Sequence, residues 1–242
     1  MSGSGHLCEN VCRFFERFVM LDQMAIDEAP SGRVAGIVLT VCTGLAIVAM
    51  LNHPTAVARS PGELMTQIAG FATRDRVVHG VFFAVLGGLT LGASVFACRQ
   101  GFDHIPILAG FITFAFGVAA ACGAIVLDGF VIPDVVSRYL GSSPEQINIA
   151  VALLTVCGLT IQILGKLSVV AVSLGILLWS VHLIRMPGAL RASGIVGLVS
   201  GILPLGLAAT GARLTPHSLS TVIVVQAIWY FVIGALLIRG RL

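Results

Sequence analysis

The sequence predicts an all-α fold: a polytopic bundle of about six transmembrane helices, with an extra amphipathic helix on the outer side. Three observations carry this. Hydrophobic residues make up 57% of the 242 and charged residues only 10%, against roughly 25% charged in a soluble domain, so too few polar groups exist to coat a water-facing surface. All eleven acidic residues lie at or before Glu145 and none follows it, which spans joined by short loops tolerate and a soluble half-domain does not. Apolar runs of about 20 residues, the length that crosses the hydrocarbon as a helix, recur between polar punctuation.

Residues 1–33 hold Glu9, Arg13, Glu16, Arg17, Asp22, Asp27 and Glu28 without a clean apolar core, so they read as a cytoplasmic tail and not as a cleavable signal. Within it Val11, Phe14, Phe15, Phe18 and Val19 fall opposite Arg13, Glu16 and Arg17, the pattern of a helix lying on the inner membrane surface. His6, Cys8 and Cys12 form half of a zinc pattern, but a structural zinc site needs four ligands. The cysteines are scattered, which implies no disulfide framework.

The six-span domain occupies 34–242. The first span, 34–51, ends at Asn52-His53-Pro54; the second, 77–98, stops at Arg99-Gln100-Gly101; the third, 105–127, starts at Ile105-Pro106 and ends at Asp128-Gly129. The apolar stretch 147–184 is too long for one crossing. At about 1.5 Å per residue it reaches roughly 55 Å, against a hydrocarbon core of about 30 Å. An outer amphipathic portion near 144–165, started by Ser143-Pro144-Glu145-Gln146, followed by a span over 167–184, resolves the excess and leaves Lys166 to snorkel at the interface. The alternative joins two spans at Gly165-Lys166. The fifth span is 194–211, kinked at Pro204, and the sixth is 218–238, stopped by Arg239 and Arg241.

Positive charge sets the orientation. Six spans with an inner N-terminus place Arg13, Arg17, Arg33, Arg99, Arg185, Arg191, Arg239 and Arg241 inside and only Arg59, Arg74, Arg76, Arg138 and Arg213 outside. A seventh span reverses the bias. Both termini are then cytoplasmic, and two long loops, 52–76 and 128–147, face outward.

Those outer segments hold the residues of chemical interest. His53 opens the first loop, Arg74, Asp75, Arg76 and His79 close it, and Asp128, Asp134 and Arg138 lie at the same depth. Asp75 and His79 are four apart and share a helix face. Imidazoles, carboxylates and guanidiniums in one layer could form a metal site, a proton-transfer dyad or an anion pocket; the plainer reading is helix capping and headgroup contact. These eight residues are taken as the ligand-binding set, with no metal ligand and no cofactor assigned. His104, His182 and His217 fall elsewhere and are left out.

The segment Leu174-Gly175-Ile176-Leu177-Leu178-Trp179-Ser180-Val181-His182-Leu183-Ile184-Arg185, the turn Met186-Pro187-Gly188-Ala189-Leu190-Arg191 and Gly194-Ile195-Val196-Gly197 resemble the fourth-to-fifth-span region of an uncharacterised bacterial family, the domain-of-unknown-function family numbered 4386. The resemblance covers about a quarter of the chain and implies six spans with a long outer segment before the fourth. It supplies no catalytic residues, and the Cys-bearing tail departs from it.

No Walker, dinucleotide-binding, H-E-x-x-H or G-x-S-x-G motif occurs, and no Asp or Glu lies in mid-span, as coupled transporters need. The expectation is a bacterial inner-membrane protein whose partners are the lipid bilayer and a small ligand, lipid or partner subunit, with no nucleic acid. A membrane-embedded enzyme using the same outer His and Asp residues is the alternative, and a transporter the third.

Overall fold

The computed structural model describes residues 29–242 apart from Ala212. The tail pattern with His6, Cys8 and Cys12 lies outside the described residues. These form α1 (Ala29–Leu51), α2 (Pro61–Gln100), α3 (Ile105–Val126), a π-helical turn (Leu127–Val131), α4 (Ile132–Tyr139), α5 (Pro144–Leu183), α6 (Ala189–Ala209) and α7 (Pro216–Ile238), with no strand among them. Six helical stretches are long and apolar enough to cross a membrane. The fold is an all-α bundle of spanning length.

The start of α1 and the end of α7 share one end of the bundle. Arg99, near the end of α2, donates to the Leu242 carbonyl at 2.8 Å, and Gly36 sits so close to α7 that a Cβ there would meet the Gly234 carbonyl at 2.6 Å. This is the termini end; the opposite one is the far end.

Helices α2 and α5 have 40 residues each, about 60 Å, twice the hydrocarbon thickness of about 30 Å. Both project at the far end. Each starts with a cap and a proline at the first turn: Ser60 accepts from the Glu63 N–H, and Ser143 and Gln146 form a reciprocal capping box. Their projecting halves pack with α4 around a second small core of Met65, Ile68, Val136, Ala150 and Leu154.

The expected long loops are therefore mostly helix. A capped start at Ser60 and direct continuation from the π-turn begin the segments 61–76 and 132–139, and packing against a partner, not hydropathy, decides their state. The expected separate amphipathic helix is likewise not separate. Helix α5 runs unbroken through Gly165-Lys166, since one interior glycine costs only about 1 kcal/mol. Nor is its outward side polar: Ile149, Leu153, Val156, Leu159 and Ile163 are all exposed. Lys166 is tied to the α6–α7 turn, where its Nζ donates to the Gly211 carbonyl at 3.1 Å.

Small residues let the helices close on one another. A Cβ on Gly110 of α3 would lie 2.6 Å from Trp179 of α5, and one on Gly197 of α6 would lie 2.6 Å from Trp229 of α7. Association in lipid depends on such close packing. The result is an aromatic layer towards the termini end: Trp179 and Trp229 stack with centroids 5.6 Å apart, and Phe96 meets both edge-on.

The turn between α6 and α7 is fastened to α5 by Gln162, whose Nε2 donates to the Leu214 carbonyl while its Oε1 accepts the Leu214 N–H, both at 2.8 Å. Gln162→Leu leaves two backbone groups without partners, each worth about 1–3 kcal/mol if it stays dry. A clear fall in thermal midpoint in detergent is the expected result; an unchanged midpoint would mean that water takes over both bonds.

Candidate functional site

Four sequence-predicted residues converge at the far end. His53 follows α1, Asp75 and His79 sit one turn apart on α2, and Asp128 lies in the π-helical turn. The His79 Nδ1 lies 2.9 Å from the Asp75 carbonyl and 3.1 Å from Asp75 Oδ1. With the proton on Nδ1, both oxygens accept and the Nε2 lone pair faces Asp128; with both ring nitrogens protonated, Nε2 donates to Asp128 instead. That Nε2 is 3.3 Å from Asp128 Oδ2, and the same oxygen is 3.5 Å from His53 Nε2. The two imidazoles meet edge to face with centroids 5.0 Å apart. Asp75 and His79 are buried and Asp128 is partly open.

The turn that delivers Asp128 has a covalent cause. Pro133 has no N–H to give a carbonyl one turn back, and its ring crowds that position. The chain absorbs this by widening: the Ile132 N–H donates to the Leu127 carbonyl, five residues back. Such π-turns recur at functional sites. This one also presses Gly129 onto His79, so that a Cβ at Gly129 would lie 2.2 Å from His79 Cβ.

The other four predicted residues stay outside the cluster. Arg74 donates from Nε and a terminal nitrogen to the Asn52 carbonyl, at 3.1 and 2.8 Å, fixing the segment that presents His53. Arg76 pairs with Asp134 at 2.6 Å on the surface. Arg138 is exposed on α4. Neither Arg74 nor Arg76 is spent on Asp75 or Asp128, whose ion-pair partners among the described residues are the two imidazoles.

His53, His79 and Asp128 line one end of a cavity of about 540 Å³ that passes between the helices to Thr43, Gln226 and Tyr230. Between these ends its wall is mostly apolar, with Phe82, Leu86, Leu89 and Val118 among the lining residues beside Gln162 and Ser168. At the inner end Gln226 donates to Ser173 Oγ at 3.0 Å. Beyond lies the aromatic layer: Phe96, Trp179 and Trp229 are almost fully buried. His53 Nδ1 is buried without a hydrogen-bond partner, an unusual state for a polar atom.

No family model, curated protein or solved structure matches the chain. What the fold itself gives is coarser: six apolar helices that fit a multi-pass integral membrane protein in a lipid bilayer.

Sequence reasoning missed Gly129, Pro133 and the inner pair Gln226 and Ser173. For the first two a signal existed. A proline four residues after an Asp-Gly in a continuing apolar run marks a helix that must re-register.

Proposed function

We propose that this is a bacterial inner-membrane protein, with both termini cytoplasmic, that holds a small amphiphilic molecule. Its polar head sits on His53, His79 and Asp128 and its apolar body occupies the cavity. The observation that carries this reading is the polarity of one continuous space, with the charged and titratable cluster at the far end and a mostly apolar wall behind it. A volume of about 540 Å³ is of the size that encloses a drug-sized ligand, for which sites run from about 300 to 1,000 Å³. The buried aromatic layer beyond the inner end favours a resident ligand over a molecule in transit. Membership of the six-span family numbered 4386 belongs to the same proposal, supported by the turn around Met186-Pro187-Gly188.

The test is retention of a lipophile. Gly158 lines the cavity, and a Cβ there meets nothing within 4 Å, so the side chain of Gly158→Phe starts in open space and takes up cavity volume. Native mass spectrometry from nanodiscs, with extraction of the bound molecule, is expected to find one lipophile per wild-type chain. Gly158→Phe should lose it, and Asp128→Ala should weaken it about tenfold, the worth of one hydrogen bond to a charged group, about 1.5 kcal/mol. Equal retention by all three proteins would remove the proposal.

A further inference from the structure

We infer that His53, His79 and Asp128 form a binding site for one divalent transition-metal ion of the zinc type, with Asp75 holding His79 from behind and one coordination position open to the cavity. The spacings point to this. A charge-assisted hydrogen bond between imidazole and carboxylate is about 2.7–2.9 Å long, whereas Asp128 Oδ2 stands 3.3 and 3.5 Å from the two Nε2 atoms. Those lengths match the edge of a tetrahedron whose centre is about 2.0–2.1 Å from each N or O ligand, which is roughly 3.3–3.4 Å. Two imidazoles on such an ion have ring centres roughly 5 Å apart, and here the separation is 5.0 Å.

The surroundings agree. Bonding of Nδ1 to Asp75 is the arrangement in which a carboxylate or carbonyl behind a histidine fixes its tautomer and aims the other nitrogen at a metal. Asp75 is absent from the cavity lining, while His53, His79 and Asp128 are all in it. Ligand atoms of His53 and His79 lie within 4.8 Å of one another, and an Asp75 oxygen lies within the same distance of both. Two carboxylates share this half-buried layer without an Arg or Lys partner among the described residues, because Arg74 and Arg76 are engaged elsewhere. A divalent cation balances both. Two nitrogens and one carboxylate oxygen suit zinc, cobalt or nickel better than calcium or magnesium, which prefer all-oxygen shells. Three protein ligands leave a fourth position, as in catalytic zinc sites.

This site is the head end of the proposed cavity, and the inference rests on that reading only for what takes the open position. Metal binding is therefore measured alone. Chelator-treated full-length protein in detergent is titrated with Co²⁺ and, separately, Zn²⁺. One equivalent per chain is expected, with the intense visible bands of four-coordinate Co²⁺ that Zn²⁺ displaces. His53→Ala and Asp128→Asn should each weaken binding at least 100-fold. Asp75→Asn, which alters only the support of His79, should weaken it about 10- to 100-fold while keeping the one-to-one ratio and the four-coordinate spectrum. Gly158→Phe, which blocks the cavity but leaves the cluster, should bind metal normally, so failure of the amphiphile and failure of the metal are separable. Monodisperse, helical wild-type protein that takes up no stoichiometric Co²⁺, or equal uptake by folded Asp128→Asn, would overturn the inference.

Discussion

Replacing Gly129 by alanine is expected to abolish the far-end site and to destabilise the protein by about 1–3 kcal/mol or more, the range of an inserted methyl in a packed interior. The added Cβ would sit 2.2 Å from His79 Cβ and 2.4 Å from its Cγ, where carbon atoms rest at about 3.5–4.0 Å. Neither contacted atom is the loose tip of a side chain. His79 Cβ is fixed to the α2 backbone, so either α2 and the π-turn part by more than about 1 Å or the imidazole swings out of line. Both outcomes break the 3.3 Å approach of Nε2 to Asp128. The control is Gly158→Ala, an interior helix glycine whose Cβ meets nothing within 4 Å; this change should be neutral or stabilising by up to about 1 kcal/mol. Thermal unfolding and Co²⁺ uptake of the two variants provide the measurement. A Gly129→Ala protein with wild-type stability and binding would mean that the turn and α2 are not in contact as described.

The same residue shows where sequence reading stops. The spans were legible because they depend on one local quantity, apolar length against bilayer thickness, and α1, α6 and α7 fall close to where hydropathy places them. The convergence of His53, Asp75, His79 and Asp128 was legible only as a shared depth, through their positions at the ends of spans. Depth does not separate residues that face each other from residues that face water. Asp134 and Arg76 lie in the same layer and pair on the surface instead. What separates them is rotation about the helix axis, and for Asp128 that rotation is set by an extra residue in one turn, a consequence of Pro133 that no periodicity of 3.6 captures. The helical projections were illegible for another reason. Met65, Ile68, Val136, Ala150 and Leu154 form a core only once three segments far apart in sequence are assembled, and two of them, 61–76 and 132–139, read alone as loops.

The other large effect is expected in the aromatic layer beyond the inner end of the cavity. Trp179→Ala should cost about 3–5 kcal/mol, the usual penalty for truncating a buried Trp, towards the lower end of that range because lipid is as apolar as the space the side chain leaves. What remains is the lost dispersion of a side chain stacked on Trp229, meeting Phe96 and Phe114 with centroids 5.4 Å away, and donating from Nε1 to the Ile107 carbonyl at 3.1 Å. Trp179→Phe keeps most of those contacts and gives up one hydrogen bond, so about 0.5–1.5 kcal/mol is its expected cost. Unfolding of both variants in detergent measures the difference. The two ends of the cavity then respond in opposite ways. Changes at His53 or Asp128 alter what is bound while sparing the bundle, whereas removing the indole loosens the layer on which α3, α5 and α7 close and extends the cavity toward the termini end. A Trp179→Ala protein as stable as Trp179→Phe would show that this layer does not seal the helices together, and a space open at both ends would suit passage better than retention.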